Sequence, residues 1–281
     1  MSEEKLRDAL DRHGLWANKG LGQHFLFDLN LTRRIARASG VVAGGPALEI
    51  GPGPGGLTRA LLEAGANPLI AIERDGRFLP LLDELKLVFP GRLQVIHTDA
   101  LGVREEDMLS AAGLEGPVPI VSNLPYNVGT PLLVKWLKAG AWRGPMTLMF
   151  QKEVAERVVA RPGEDAYGRL AVLAQARCTA DLVLDVPAQA FSPPPKVASA
   201  VVHLVDRVDP YPHLDALEKV TAAAFGQRRK MLRSALKPLA GGLAEPMLAM
   251  AGLDPQARAE TISPAGFFAL TEAWRTLNEG P

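Results

Sequence analysis

The 281-residue sequence predicts an α/β domain with a mainly parallel sheet, followed by a small all-helical domain. Three observations lead there. Short β-branched runs alternate with helix-length stretches, the pattern of strand–helix–strand units. An apolar strand runs into a glycine-rich turn and then a helix in ALEIGPGPGGLT at 47–58. The strand pattern stops after Val205, and from there the apolar spacing is helical to the end of the sequence.

The opening MSEEKLRDALDRHG is charged and helix-like, without the apolar stretch of a signal peptide. A helix is expected over Asp28–Ala38 with Asp28 as its N-cap. Strands are expected at Ala47–Ile50, Leu69–Glu73, Leu93–Thr98, Val118–Ser122, Met146–Phe150, Asp181–Val186 and Ala198–Val205. Between them fall helices at Leu57–Ala64, Gly76–Leu87, Pro131–Ala139 and Tyr167–Arg177. DRVDPYP at 206–212 reads as a linker because its two prolines interrupt regular structure. The expected division is a ligand-binding domain over 1–208 and a helical domain over 209–281.

With 47% hydrophobic and 22% charged residues, the chain can bury an ordinary core. No apolar run reaches the roughly 18 residues of a membrane span. A single cysteine, Cys178, excludes an intramolecular disulfide framework and points to a cytosolic protein; it reads as a small buried residue. The five histidines are scattered without ligand spacing, so no metal site is expected. His97 and His203 read as structural residues on strands, and the four tryptophans as core or interface residues. Net charge is zero, so an RNA site must come from a local cluster. One exists: Lys219, Arg228, Arg229, Lys230, Arg233 and Lys237 occur with no acid between Lys219 and Lys237.

Gly51, Gly53, Gly55 and Gly56 let the backbone turn sharply and approach a ligand, and the following helix offers free N–H groups to an anion. Gly51, Gly53 and Gly56 also satisfy G-x-G-x-x-G, so a dinucleotide and S-adenosyl-L-methionine both fit the loop. Glu73 ends the second of the expected sheet strands, where an acid holds ribose hydroxyls in either class. Asp99 ends the third, where adenosylmethionine enzymes often place an acid against the cofactor's adenine amine. Glu49 is expected to organise the loop or to lie near the methionine amino group.

SNLPYN at 122–127 follows the fourth strand. Carboxyl ends of strands in an open α/β sheet form the ligand crevice. NLPY is similar to the Asn-Pro-Pro-Tyr motif of amino-methyltransferases. An adenine N6 lone pair is delocalised and a poor nucleophile. Hydrogen bonds from both N6 hydrogens would turn that lone pair towards a methyl donor. The Asn123 side-chain oxygen is one acceptor and the Leu124 carbonyl the second. Pro125 stiffens the turn, and Tyr126 offers a ring on which an extruded base stacks. FSPPPKVASAVV at 191–202 supplies a second aromatic, Phe191, read either as a stacking face opposite Tyr126 or as packing beneath the proline loop.

Together these motifs resemble the ribosomal RNA adenine N6-dimethyltransferases, the kasugamycin-sensitivity dimethylases. The resemblance runs from about Lys19 to Lys237 through GLGQHFL, EIGPGPGGLT, IERD, DAL, NLPY, FQKEVAERVVARPGEDAYGRLAV, FSPPPKVASAVV and AFGQRRKMLRSAL, in family order. It implies a Rossmann-like class I methyltransferase sheet of seven strands, the last antiparallel, with a small C-terminal helical domain. It implies cofactor contacts from His24, Leu26, Gly51, Glu73, Asp99 and Asn123, to which the loop reading adds Glu49 and Gly53. S-adenosyl-L-homocysteine is the implied product. The implied substrate is two adjacent adenosines near the 3′ end of 16S rRNA, recognised in a pre-30S particle by a cytoplasmic, monomeric enzyme. Arg228, Arg229, Lys230, Arg233 and Lys237 are expected on or near one helix that docks on rRNA. Arg229, Arg233 and Lys237, four apart, would share its face, with Met231, Leu232, Ala235 and Leu236 towards the core. The alternatives are an erythromycin-resistance type methylase of 23S rRNA, a NAD-dependent oxidoreductase, and an assembly factor whose catalysis is secondary.

Overall fold

A computed structural model describes residues 3–16, 24–227 and 229–279. Its strands are β1 (Phe25–Leu26), β2 (Ala47–Ile50), β3 (Leu69–Glu73), β4 (Leu93–His97), β5 (Val118–Asn123), β6 (Arg143–Gln151), β7 (Cys178–Val186), β8 (Phe191–Ser192) and β9 (Ser199–Asp206). Seven of them form one sheet in the order β4-β3-β2-β5-β6-β9-β7, and β1 pairs with β8 in a separate antiparallel ribbon. Strands β2 to β6 run parallel and β9 runs antiparallel to β6. Every residue of β2 and β3 is buried, which is why ALEI and LIAIE read as unbroken apolar runs with a single acid each. Across β6 and β9, His203 is bonded to Thr147 Oγ1 at 2.8 Å, a structural role.

Helices α1 (Glu3–Arg12), α2 (Leu29–Ala38), α3 (Gly56–Ala64), α4 (Leu79–Val88), α5 (Glu105–Ala111) and α6 (Gly129–Leu137) lie in the first part of the chain. Asp28 caps α2 as expected, its carboxylate accepting from the Asn30 and Leu31 N–H groups at 2.9 and 3.1 Å. Leu6, Ala9 and Leu10 of α1 pack with Phe25, Phe27, Phe78 and Leu81 into a small apolar cluster. Of the tryptophans, Trp136 is fully buried, whereas Trp16 is exposed and belongs to no core.

The remaining helices are α7 (Lys152–Val159), α8 (Arg169–Arg177), α9 (Leu214–Gly226), α10 (Leu232–Ala235), α11 (Lys237–Ala240), α12 (Ala244–Met250) and α13 (Pro264–Glu279). The chain separates into two compact units, Met1–Ala155 with Asp181–Val205, and Glu156–Ala180 with Asp206–Pro281. This departs from a division at 208/209, because Glu156–Ala180 joins the C-terminal helices. Helix α8 packs on α9 and α13. Tyr167 stands edge-on to Phe225 at 6.0 Å and donates its hydroxyl to the Ile262 carbonyl at 2.7 Å. Local periodicity announces a helix there but not its partner, since Ile262 lies 95 residues away.

The basic stretch is not one helix. Helix α9 ends at Gly226, Met231 is extended and bridges to Arg258, and Leu232 N–H donates to the Ala257 carbonyl at 2.8 Å. That pairing replaces a continuous helical ladder, so Arg229, Arg233 and Lys237 lie respectively before α10, within it and at the start of α11. They do not form one helix face. Leu232, Ala235 and Leu236 are buried as expected, while Met231 is exposed. Arg228 lies outside the described residues.

One buried polar group fixes the chain that follows β4. Glu105 is 2% exposed and accepts from Lys135 Nζ and Trp136 Nε1, both at 2.9 Å. Lys135 Nζ also donates to the Ala100 and Val103 carbonyls at 2.6 Å, so α6 grips the segment that begins at Asp99. Glu105→Ala leaves the ammonium and the indole N–H short of a buried partner and should cost about 3 kcal/mol. Denaturant unfolding of the variant checks this; a destabilisation below about 1 kcal/mol would show that the interaction is not structural.

Candidate active site

The strand order reverses between β2 and β5: the chain steps outward from β2 to β3 to β4, then returns to pair β5 beside β2 through Leu48 and Ile120. The loops leaving β2 and β5 therefore diverge, and a crevice opens between them. Ser122 ties the two strands by donating its hydroxyl to the Ile50 carbonyl at 2.5 Å.

On the β2 side, Gly51 and Gly53 have φ of 66° and 53°, a region that disfavours any side chain. A Cβ at Gly56 would stand 2.8 Å from the Leu26 carbonyl, so glycine there lets β1 lie against the start of α3. Glu73, at the end of β3, is held rigidly. Its carboxylate accepts from Gly53 N–H at 2.9 Å and from Asp75 N–H at 2.7 Å. Burial raises its pKa and those two N–H bonds work against the rise.

Glu49 is the most constrained acid. It is 1% exposed, it lines the cavity, and among the described residues its Oε2 has no hydrogen-bond partner. Burial pushes its pKa up to about 8; the nearby Thr58 hydroxyl opposes this and the negative Glu73 adds to it. Thr58 Oγ1 is itself without a partner of ordinary hydrogen-bond geometry. A buried acid with an open oxygen suits a cationic group entering the cavity.

Asp99 borders a second cavity with Glu73, Asp75 and Arg77. It is partly exposed, accepts from Leu101 N–H at 3.0 Å and pairs with Arg74 at 3.1 Å. Glu73, Gly51 and Pro125 border both cavities, so the acid at the end of β3 stands between them.

On the β5 side, Asn123, Leu124, Pro125 and Tyr126 line the first cavity with His24, Leu26, Gly51, Gly53 and Phe191. Pro125 accepts through its carbonyl from Val128 and Gly129 N–H at 3.1 Å, which starts α6 and bends the turn. Among the described residues, nothing donates to the Asn123 side-chain oxygen or to the Leu124 carbonyl. Tyr126 is bonded through its hydroxyl to Ser199 Oγ at 2.9 Å, and its ring lies 5.6 Å from that of His24. His24 donates from Nδ1 to the Pro193 carbonyl at 2.8 Å, which places a proton on that nitrogen. Phe191 is 4% exposed, pairs with Leu26 across the β1–β8 ribbon, and belongs to the core cluster while reaching the cavity wall.

Thus twelve expected site residues converge on the two cavities: His24, Leu26, Glu49, Gly51, Gly53, Glu73, Asp99, Asn123, Leu124, Pro125, Tyr126 and Phe191. The basic cluster belongs to the other unit. Sequence reading missed Ser199 and Pro193, although both lie in the FSPPPKVASAVV block; a serine among small strand residues carries no signal of its own. Among the described residues, no group of three or more His, Cys, Asp or Glu is placed to hold a metal ion.

The profile of the ribosomal RNA adenine dimethylase family matches residues 14–275. The chain belongs to this family. It is 61% identical to a ribosomal RNA small subunit methyltransferase A of Phenylobacterium zucineum, over 98% of this chain and 94% of that protein. The fold is similar to that of a dimethyladenosine transferase from Plasmodium falciparum, with TM-score 0.71, 24% identity, and 86% and 94% of the two chains covered. It is also similar to the 23S rRNA methyltransferase ErmE, with TM-score 0.66, 26% identity, and 89% and 98% covered. Membership in the dimethylase family sets aside the oxidoreductase reading of the glycine loop.

The raised pKa of Glu49 has a sign that can be checked. Between about pH 4.5 and about pH 8 the folded chain keeps a proton on Glu49 that the unfolded chain releases. The folded state binds more protons in that window, so this group makes the ligand-free protein less stable as pH rises. Glu49→Gln removes the effect. The melting temperature of the variant minus that of the parent should grow through the window and level off above about pH 8. A difference that stays flat with pH would show that Glu49 is not a buried acid.

Proposed function

We propose that this dimethylase transfers methyl groups from S-adenosyl-L-methionine to the N6 amines of two adjacent adenosines near the 3′ end of small-subunit rRNA, giving N6,N6-dimethyladenosines. The observation that carries this reading is the pair of acceptors at the end of β5 on the cavity wall, the Asn123 amide oxygen and the Leu124 carbonyl, to which no described residue donates. An exocyclic amine with two hydrogens matches two such acceptors, which would leave its lone pair, out of the plane, to meet the methyl donor. Tyr126 supplies the face on which the base stacks, and Phe191 closes the apolar wall.

The cofactor supplies an electrophilic methyl group. The residues around it fit its parts. Glu49, with an open buried oxygen, suits the methionine ammonium; Glu73 suits the ribose hydroxyls; Asp99, on the outer cavity, suits the adenine amine. His24, Leu26, Gly51 and Gly53 complete the walls. When bound, the cofactor would give its methyl to N6 and leave as S-adenosyl-L-homocysteine; the alkylated amine would be acidic and would release its proton to water. Positioning then carries most of the rate.

The small subunit is favoured by the names of the relatives above 50% identity, against 26% for the 23S enzyme. Incubation with labelled cofactor and unmethylated small subunits, followed by mapping, tests the reading. Two adjacent dimethylated adenosines are expected; modification confined to 23S rRNA, or none, would overturn it. Asn123→Ala should slow transfer by about 100-fold through loss of orientation. Tyr126→Ala should weaken base capture by about 1–3 kcal/mol.

The helical unit presents Arg229, Lys230, Arg233 and Lys237 as exposed cations even though no single helix carries them. We assign them, with Arg228, to rRNA phosphates. Replacing Arg229, Arg233 and Lys237 with Gln should weaken binding to the subunit. It should also flatten the dependence on salt, by about 0.7–0.9 in log–log slope for each phosphate no longer neutralised. Cofactor affinity should be unchanged. A parent-like salt slope removes these residues from the interface.

A further inference from the structure

We propose that Ser199 is a positioning residue that holds the Tyr126 ring in its place before a base arrives. The inference rests on the proposed adenine N6 methylation. Its grounds are geometric. Ser199 is fully buried at the start of β9, where pairing with Gln151 of β6 fixes its backbone in the sheet. Its hydroxyl meets the Tyr126 hydroxyl at 2.9 Å. Tyr126 itself leaves a turn, so its Cα gives the ring only one fixed end. The bond to Ser199 supplies the second, and a ring held at both ends cannot swing away about χ1, which leaves only rotation about its own long axis.

A second contact from the same segment acts on the same ring. His24 lies against Tyr126 at 5.6 Å, tilted by 33°, and is tied through Nδ1 to the Pro193 carbonyl at 2.8 Å. The stretch from Pro193 to Ser199 therefore braces the tyrosine directly at its hydroxyl and indirectly along its side. Burial raises the Tyr126 pKa, so the phenol stays a neutral hydroxyl able to share a hydrogen bond. A stacking platform that is already in place spares the incoming base the entropy of ordering it. Such a device acts on capture of the base more than on the methyl step, because the ring is equally engaged in the bound state and at the transition state.

The test uses the full-length protein with small subunits and adenosylmethionine. Ser199→Ala and Tyr126→Phe each break the same bond from opposite ends. Both should raise KM for subunits roughly three- to tenfold, the range of one neutral hydrogen bond, with kcat nearly unchanged. The double variant should be no worse than the poorer single variant, because the second change removes nothing further. Calorimetric affinity for adenosylmethionine should match the parent in all three. Tyr126→Phe keeps the ring and its packing, so it serves should Ser199→Ala fold poorly. The inference is overturned by parent-like KM in the single variants, by effects that multiply in the double variant, or by a matching loss of cofactor affinity, which would mark a general packing role. A parent enzyme that methylates no adenosine would instead sink the function on which the inference rests, so the two failures are distinct.

Discussion

The site depends on the reversal of strand order between β2 and β5. Because β5 returns to the inner side of β2, the glycine loop and the NLPY turn leave the sheet side by side and in opposite directions. Neither loop makes a site alone. The Ser122 bond to the Ile50 carbonyl fixes the spacing between the two strands within 0–4% exposed surroundings, where no water competes for it. Further out, the Lys135–Glu105 pair holds the chain after β4 against α6, so the segment carrying Asp99 is set by the same helix that begins at the NLPY turn. The glycine loop, the Asp99 segment and the NLPY turn thus share supports, and a shift in one is felt by the others.

Three acids stand on or just after three adjacent strands, and their burial is graded. Glu49 of β2 is fully enclosed, Glu73 of β3 is mostly enclosed with both oxygens already accepting backbone N–H groups, and Asp99 after β4 is partly exposed beside Arg74. The grading matches what each could bind. A cation offsets the desolvation of Glu49, hydroxyls share the remaining lone pairs of Glu73, and a neutral amine asks little of a solvated Asp99. The same gradient makes the empty protein bear a cost at Glu49 that a bound ammonium would relieve.

Much of this was legible in the sequence because it is local. Glycines at 51 and 53 are required by positive φ, the Asp28 cap by the helix it starts, and NLPY by its place after a buried strand. What was not legible depends on partners far along the chain. Tyr167–Arg177 was recognisable as a helix, but its union with the C-terminal unit rests on contacts with Phe225 and Ile262. The basic stretch carries a helical charge spacing, yet the pairing of Met231 with Arg258 breaks it, and no local rule foresees that bridge. Ser199 was invisible for the same reason: its partner, Tyr126, is 73 residues away.

Most of the titratable groups around the first cavity are already engaged or neutral. His24 donates to Pro193, Glu73 is saturated by N–H groups on one side, Glu49 is buried with an oxygen suited to a cation, and Tyr126 stays protonated. Amine methylation tolerates this, since the nitrogen becomes acidic only after the new bond forms. In the proposed reaction the rate then comes from aligning lone pair and methyl, and alignment depends on rigidity. In the proposed reaction that alignment falls to the Asn123 and Leu124 acceptors, while the brace behind Tyr126 acts one step earlier, on the platform that captures the base.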